Sequence, residues 1–257
     1  FHGTGATSIN NAVTFQVNTE SGTDGDHGDV DIDGGSRVYS DIIVKGEGTV
    51  DISEQSTAEG RIEATGAVDV AENSSVGDEI LSGTDGDDGD VTVSFSRIGD
   101  DITALGDGSV TIDNDSTVGG GVEARSSVDL SEDSEVTDRI VAGTGGDDGT
   151  VTVSGSTVGD TIISESEGGV DIDGVSEVAG RVESVGTVDV SENSQVGGAL
   201  IAGTGGGDRA VTGRRLGLGG PGTPGGGGGG GLDGGSSTAG AGRAAGAGGG
   251  CGATRGA

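Results

Sequence analysis

Valine, isoleucine and leucine recur along residues 30–202 with a period that no helix produces. In the stretch from Val110 to Ser127 the inward-type residues are Val110, Ile112, Ser116, Val118, Val122 and Ala124. Residues two apart share one face of a strand. The three pairs therefore mark three short strands, each pointing two side chains inward. The six-residue step between pairs sets three strands to a turn. That pattern predicts an all-β fold, a single-stranded triangular β-solenoid (parallel β-helix) whose two hands are equally compatible with the spacing.

Nine such coils begin at Val30, Val50, Val68, Val91, Val110, Val128, Val151, Val170 and Val188, each 18–23 residues long. With one-residue slips in the coils from Val91 and Val151, 35 of the 36 positions at offsets 0, 2, 8 and 12 are Val, Ile or Leu, and the exception is Ala58. A 3.6-residue helical period is absent, and β-branched side chains suit strands. Every third coil carries a Gly/Asp-rich insertion, which gives a super-repeat of 60 residues. The expected organisation is an N-terminal capping segment over 1–29, a solenoid of three super-repeats over 30–210, and a Gly-rich tail over 211–257. Within the cap, the alternation Ala12–Val17 predicts one further strand.

Offset 6 is serine in all nine coils: Ser36, Ser56, Ser74, Ser96, Ser116, Ser134, Ser156, Ser176 and Ser194. A nucleophilic serine needs an adjacent base, and the pattern places none beside them. The expectation is a ladder of hydroxyls bonded to backbone or to one another at a tight corner. Offset 1 faces outward and reads Asp31, Asp51, Asp69, Thr92, Thr111, Asp129, Thr152, Asp171 and Asp189. Stacked carboxylates repel by about 1 kcal/mol per neighbouring pair even at the dielectric constant of water, which predicts a chain suited to high salt. On the third strand the outward residues are Ile43, Glu63, Leu81, Thr103, Glu123, Val141, Ile163, Glu183 and Ile201. The expectation is that the neighbouring Gly/Asp loops fold over the aliphatic ones; the other reading is a lateral contact surface.

Composition narrows the chemistry. The chain of 257 residues has 44 acidic and 12 basic residues, a net charge of −32, and a field of that sign repels nucleic acid. Two histidines, His2 and His27, and one cysteine, Cys251, leave little for His-based catalysis, a zinc site or a disulfide. No apolar run approaches the roughly 20 residues of a membrane-spanning helix, and no small-molecule substrate suggests itself. Asp24 and Asp26, Asp85, Asp87 and Asp88, and Asp147 and Asp148 stand among glycines in the inserted loops. Oxygen ligands on a tightly turning backbone suit Ca²⁺, so these seven are the candidate metal residues. The competing reading is solvated acidic loops that hold only monovalent counter-ions. From Arg209 onward five Arg face one acidic residue and 22 of 49 residues are Gly. A disordered linker and a gene read out of frame after the repeat both account for that break.

The phrases STVGGGVEARSSVDLSEDSEV, from Ser116, and VSEVAGRVESVGTVDVSENSQVGG, from Val175, resemble the bactofilin-type polymer-forming proteins. The resemblance covers residues 28–208 and rests on coil period and on the S-x-V-x-G and V-x-A rhythm. It implies a non-catalytic, cytoplasmic scaffold without a cofactor that polymerises end to end. The 60-residue super-repeat, the inserted loops and the serine column depart from that family. They fit an alternative, an extracellular surface or adhesin-like stalk that binds Ca²⁺. Ser-x-Val-Gly at Ser74–Gly77, Ser116–Gly119, Ser156–Gly159 and Ser194–Gly197 also resembles the hexapeptide repeat of left-handed β-helix acyltransferases, but only His27 stands near the rod to serve such chemistry.

Overall fold

The computed structural model describes residues 2–3, 7–9, 14–15, 19–21, 28–45, 47–84, 89–146, 149–204 and 210–213. The chain divides into a unit Phe1–Gly220 and a unit Pro221–Ala257. The second unit, with Cys251 and most of the Gly-rich tail, lies outside the described residues.

The described part is all-β, with 32 strands of two to four residues in three parallel sheets. In the coil from Val110, β17 (Val110–Asp113), β18 (Thr117–Val118) and β19 (Val122–Ala124) belong to the first, second and third sheet in turn. Each strand pairs with the strand three later, so one chain winds through all three sheets as a β-solenoid. The register is the one the period predicts: Val110 pairs with Val128, Thr117 with Glu135 and Val122 with Ile140. Core aliphatics from Val30 to Val196 are at most 6% exposed, while Leu200, in the last coil, is half-buried.

Between the first and second strands the chain turns through left-handed backbone. Most coils use two such residues, among them Gly34–Gly35, Glu54–Gln55, Asn114–Asp115 and Gly174–Val175. Two consecutive left-handed residues form a tight turn, and the Ser36 amide closes one on the Asp33 carbonyl at 3.2 Å. The coils from Val91 and Val151 spend only one residue there, Phe95 (φ 50°) and Gly155 (φ 60°). That missing residue is the slip seen in their spacing. Left-handed backbone costs roughly 1–2 kcal/mol for a residue with a β-carbon, and the corner recovers part of it through inter-coil bonds. Gly35 N–H donates to the Glu54 carbonyl, Gln55 N–H to that of Glu72 and Asn73 N–H to that of Phe95.

The N-terminal segment does more than add one strand. β1 (His2–Gly3), β2 (Thr7–Ile9), β3 (Thr14–Phe15) and β4 (Thr19–Ser21) continue all three sheets. β2, β3 and β4 pair with β5 (Val30–Ile32), β6 (Arg37–Val38) and β7 (Ile42–Val44). Ladder pairing uses main-chain groups, so Thr- and Ser-rich strands join it without the aliphatic signature. At the other end, β32 (Val211–Gly213) pairs with β29 (Val188–Val190) and carries the first sheet past Ala210.

A glycine column follows the second strand at Gly77, Gly99, Gly119, Gly159 and Gly197. A β-carbon on Gly99 would overlap the Gly77 carbonyl oxygen, and one on Gly119 the Gly99 oxygen. The same column holds Thr137 and Ala179, each followed in the next coil by glycine. Gly99→Ala is expected to destabilise the rod by about 1–3 kcal/mol, the usual range for overpacking. Thermal unfolding followed by circular dichroism checks it; an unchanged midpoint contradicts the close approach.

Candidate functional surfaces

The solenoid stacks like residues into columns, and four columns carry the candidate chemistry. The serine column lies inside the corner, and its members are at most 7% exposed. Each serine amide donates to the hydroxyl of the next coil's serine. The chain of bonds runs from Ser36 N–H to Ser56 Oγ (3.1 Å), through Ser74, Ser96, Ser116, Ser134, Ser156 and Ser176, to Ser194 Oγ. Hydroxyl hydrogens turn to main-chain oxygens, as Ser116 Oγ–H does toward the Asp113 and Val93 carbonyls. The hydroxyls are thus engaged as acceptors and donors, which is the hydroxyl ladder expected from the sequence.

The first sheet displays the aspartate column. Asp31, Asp51 and Asp69 pair in register and continue through Thr92, Thr111, Asp129, Thr152, Asp171 and Asp189. Ser8 and Thr212 stand at its two ends. Partial burial against neighbouring side chains pushes the Asp31, Asp51, Asp69, Asp129 and Asp171 carboxyls above the usual aspartate range. Adjacent carboxylates push the same way, Asp33 on Asp31 and Asp69 on Asp51.

The aliphatic column of the third sheet is unevenly covered. Val141 is 5% exposed, Leu81, Ile43 and Ile163 are half-buried, and Ile201 is 37% exposed. Two of the three glutamates between them are ion-paired: Arg61 holds Glu63 at 3.0 Å and Arg181 holds Glu183 at 3.2 Å. The second sheet shows Arg37, Thr57, Ser75, Arg97, Thr117, Glu135, Thr157, Glu177 and Gln195 in one register column. Two arginines and two glutamates make that column neutral.

The candidate calcium residues Asp24, Asp26, Asp85, Asp87, Asp88, Asp147 and Asp148 all lie outside the described residues, as does His27. Among the described residues no group of three or more His, Cys, Asp or Glu is placed to hold a metal ion. Also among them, no helix is long and apolar enough to cross a membrane.

Sequence reasoning placed a tight corner at the serines but missed its left-handed backbone and the side chains that project from it. Phe95 (52% exposed) and Val175 (70%) project from left-handed positions, and Tyr39 (47%) follows the second strand of its coil. Phe95 closes one end of an open groove that runs along the corner over Gly34–Gly35, Gln55 and Asn73. The available signal was a bulky apolar residue at a polar offset in a chain with only 2% aromatics.

Set against protein-family models, curated proteins and solved structures, the chain matches none of them.

Two outcomes follow from the columns. Ser96 N–H donates to Ser116 Oγ, and among the described residues no turn carbonyl shares it, whereas Ser36 N–H also reaches the Asp33 carbonyl. Ser116→Ala leaves a buried donor unmet and should cost about 1–3 kcal/mol; Ser56→Ala should cost less, and equal losses in denaturant titration would contradict the ladder. The aspartates give a pH dependence. The folded pKa values of Asp31, Asp51, Asp69, Asp129 and Asp171 lie above the unfolded one, so the penalty is complete at neutral pH and is relieved as pH falls through the folded values. At fixed salt the thermal midpoint should rise from pH 7 down to about 4.5, just above the ordinary aspartate range. A midpoint that falls over that window contradicts it.

Proposed function

We propose that the chain is a non-catalytic structural element, a bactofilin-like scaffold that assembles end to end. The observation that carries the reading is the state of the two ends. Among the described residues, β30 (Gln195–Val196), β31 (Leu200–Ala202) and β32 each have a neighbour on one side only, as do β1, β2 and β3. Unpaired strand edges attract another chain unless something manages them, and solenoids need caps for the same reason. At the C-terminal end Ile201 and Val211 (47% exposed) add apolar surface to those edges. Parallel pairing at this end is β-strand addition, with a second copy supplying the strands. Thr212 and Ser8 end the aspartate column with hydroxyls, so a head-to-tail joint sets no two aspartates of that column against each other. The buried, hydrogen-bonded serines support a structural role over a nucleophilic one.

Electron microscopy and light scattering of the full chain in molar KCl test the proposal. Filaments are expected, and Val196→Lys with Val211→Lys should abolish them while the β signal of the earlier coils persists. A particle of 24.5 kDa at all concentrations contradicts the assembly.

A further inference from the structure

The three faces of the rod differ in whether a second copy can approach them. The first sheet carries six aspartates in one column, which excludes close contact with its own copy. The third sheet carries three glutamates, two of them ion-paired, beside aliphatics that are half-buried or buried except at Ile201. The second sheet is neutral in its outward column, with the glycine-rich column along one edge and the acidic corner along the other. Among the described residues, three of the five exposed large hydrophobics, Tyr39, Phe95 and Val175, also border it, and the other two lie at the C-terminal end.

Its charges are ordered along the axis. Arg37 and Arg97 stand toward the N-terminal end and Glu135 and Glu177 toward the C-terminal end. Turning a second copy antiparallel about a two-fold axis in the plane of this face brings the coil of Arg37 opposite the coil of Glu177. Three contacts then match together. Arg37 meets Glu177; exposed Val175 meets the bare corner Gly34–Gly35, where a β-carbon on Gly35 would touch nothing within 4 Å; and Tyr39 meets Ala179. The same rotation sets Thr57 against Thr157. Each match occurs twice, as a two-fold interface requires.

We propose that the second sheet is a lateral interface through which two copies pair antiparallel, with Arg37 on Glu177 and Val175 in the Gly34–Gly35 corner. Nine coils at about 4.8 Å, across a face about 13 Å wide, bury about 550 Å² per copy. The total of about 1,100 Å² clears the roughly 1,000 Å² expected of a biological interface and falls in the size class of weak, transient contacts. Arg37 already bonds Glu59 through Nε at 2.8 Å and lies 5.2 Å from the Tyr39 ring centre, so its guanidinium is held at the face before a partner arrives. The acidic corners on either side repel across the pair, and salt screens them. A two-fold pair closes on itself, so this contact doubles a rod without lengthening it.

The test is disulfide trapping between full-length chains in which Cys251 is replaced by serine. Thr57→Cys chains are mixed with Thr157→Cys chains at 0.5 M KCl and oxidised. The expected product is the mixed dimer joining position 57 to position 157, with little of either homodimer. Glu177→Arg in both chains should cut its yield at least tenfold, and adding Arg37→Glu should restore it, while circular dichroism shows each variant folded. Homodimers in place of the mixed product, no cross-link, or no recovery in the double reversal would overturn the proposal.

Discussion

Each residue of one coil stands a single strand spacing, about 4.8 Å, from its counterpart in the next, so whatever a column holds it holds along the rod. That constraint decides which residues are tolerable where. Aliphatics stacked on aliphatics bury surface without conflict, which is why four core columns are almost uniformly Val, Ile or Leu, while the column through Ala64, Ser82 and Ala104 is small. Serine stacked on serine makes each hydroxyl the acceptor for the amide one coil away, so the repeat itself supplies the hydrogen-bond partner. Glycine is favoured beside the second strand because a β-carbon there overlaps the preceding coil's carbonyl. Aspartate stacked on aspartate is the column in which the repeat acts against stability, and partial burial, with neighbouring carboxylates second, pushes the Asp31, Asp51 and Asp69 carboxyls upward.

The same constraint explains what the sequence disclosed. Columns are visible as periods, so the three sheets, their register and the serine ladder could be read from Val110, Ser116 and Val122 and their recurrences. The conformation of the corner could not. Its requirement is a left-handed backbone, which the chain meets with Gly34–Gly35 in one coil and with Glu54–Gln55 or Gly174–Val175 in others, so no residue type repeats. Only the short spacing in the coils from Val91 and Val151 betrayed it. The N-terminal strands were hidden for a related reason: Thr7, Thr14 and Thr19 join ladders through their main chain and carry no aliphatic period. The acidic loops left the calcium reading where the sequence put it, since those aspartates lie outside the described residues.

The proposed function draws on the faces and ends of the solenoid. Among the described residues the solenoid offers one acidic face, one face of aliphatics and glutamates, one face neutral in its outward column, and edge strands at both ends, and each face is a column summed along the axis. The proposed end-to-end addition would extend the ladder that already holds the coils, whereas the proposed side-by-side pairing would draw on Arg37, Glu177 and Val175. The two contacts use different surfaces and do not compete.

The central claim is that order in this chain passes from coil to neighbouring coil. Native-state hydrogen exchange, read amide by amide on the full chain at a concentration where it is monomeric, tests it most directly. Protection should be greatest for the serine amides of the middle coils, Ser96 to Ser156, and should decline toward Ser36 and Ser194 as the ends fray. Equal protection along the column, or a minimum at its middle, would contradict the account.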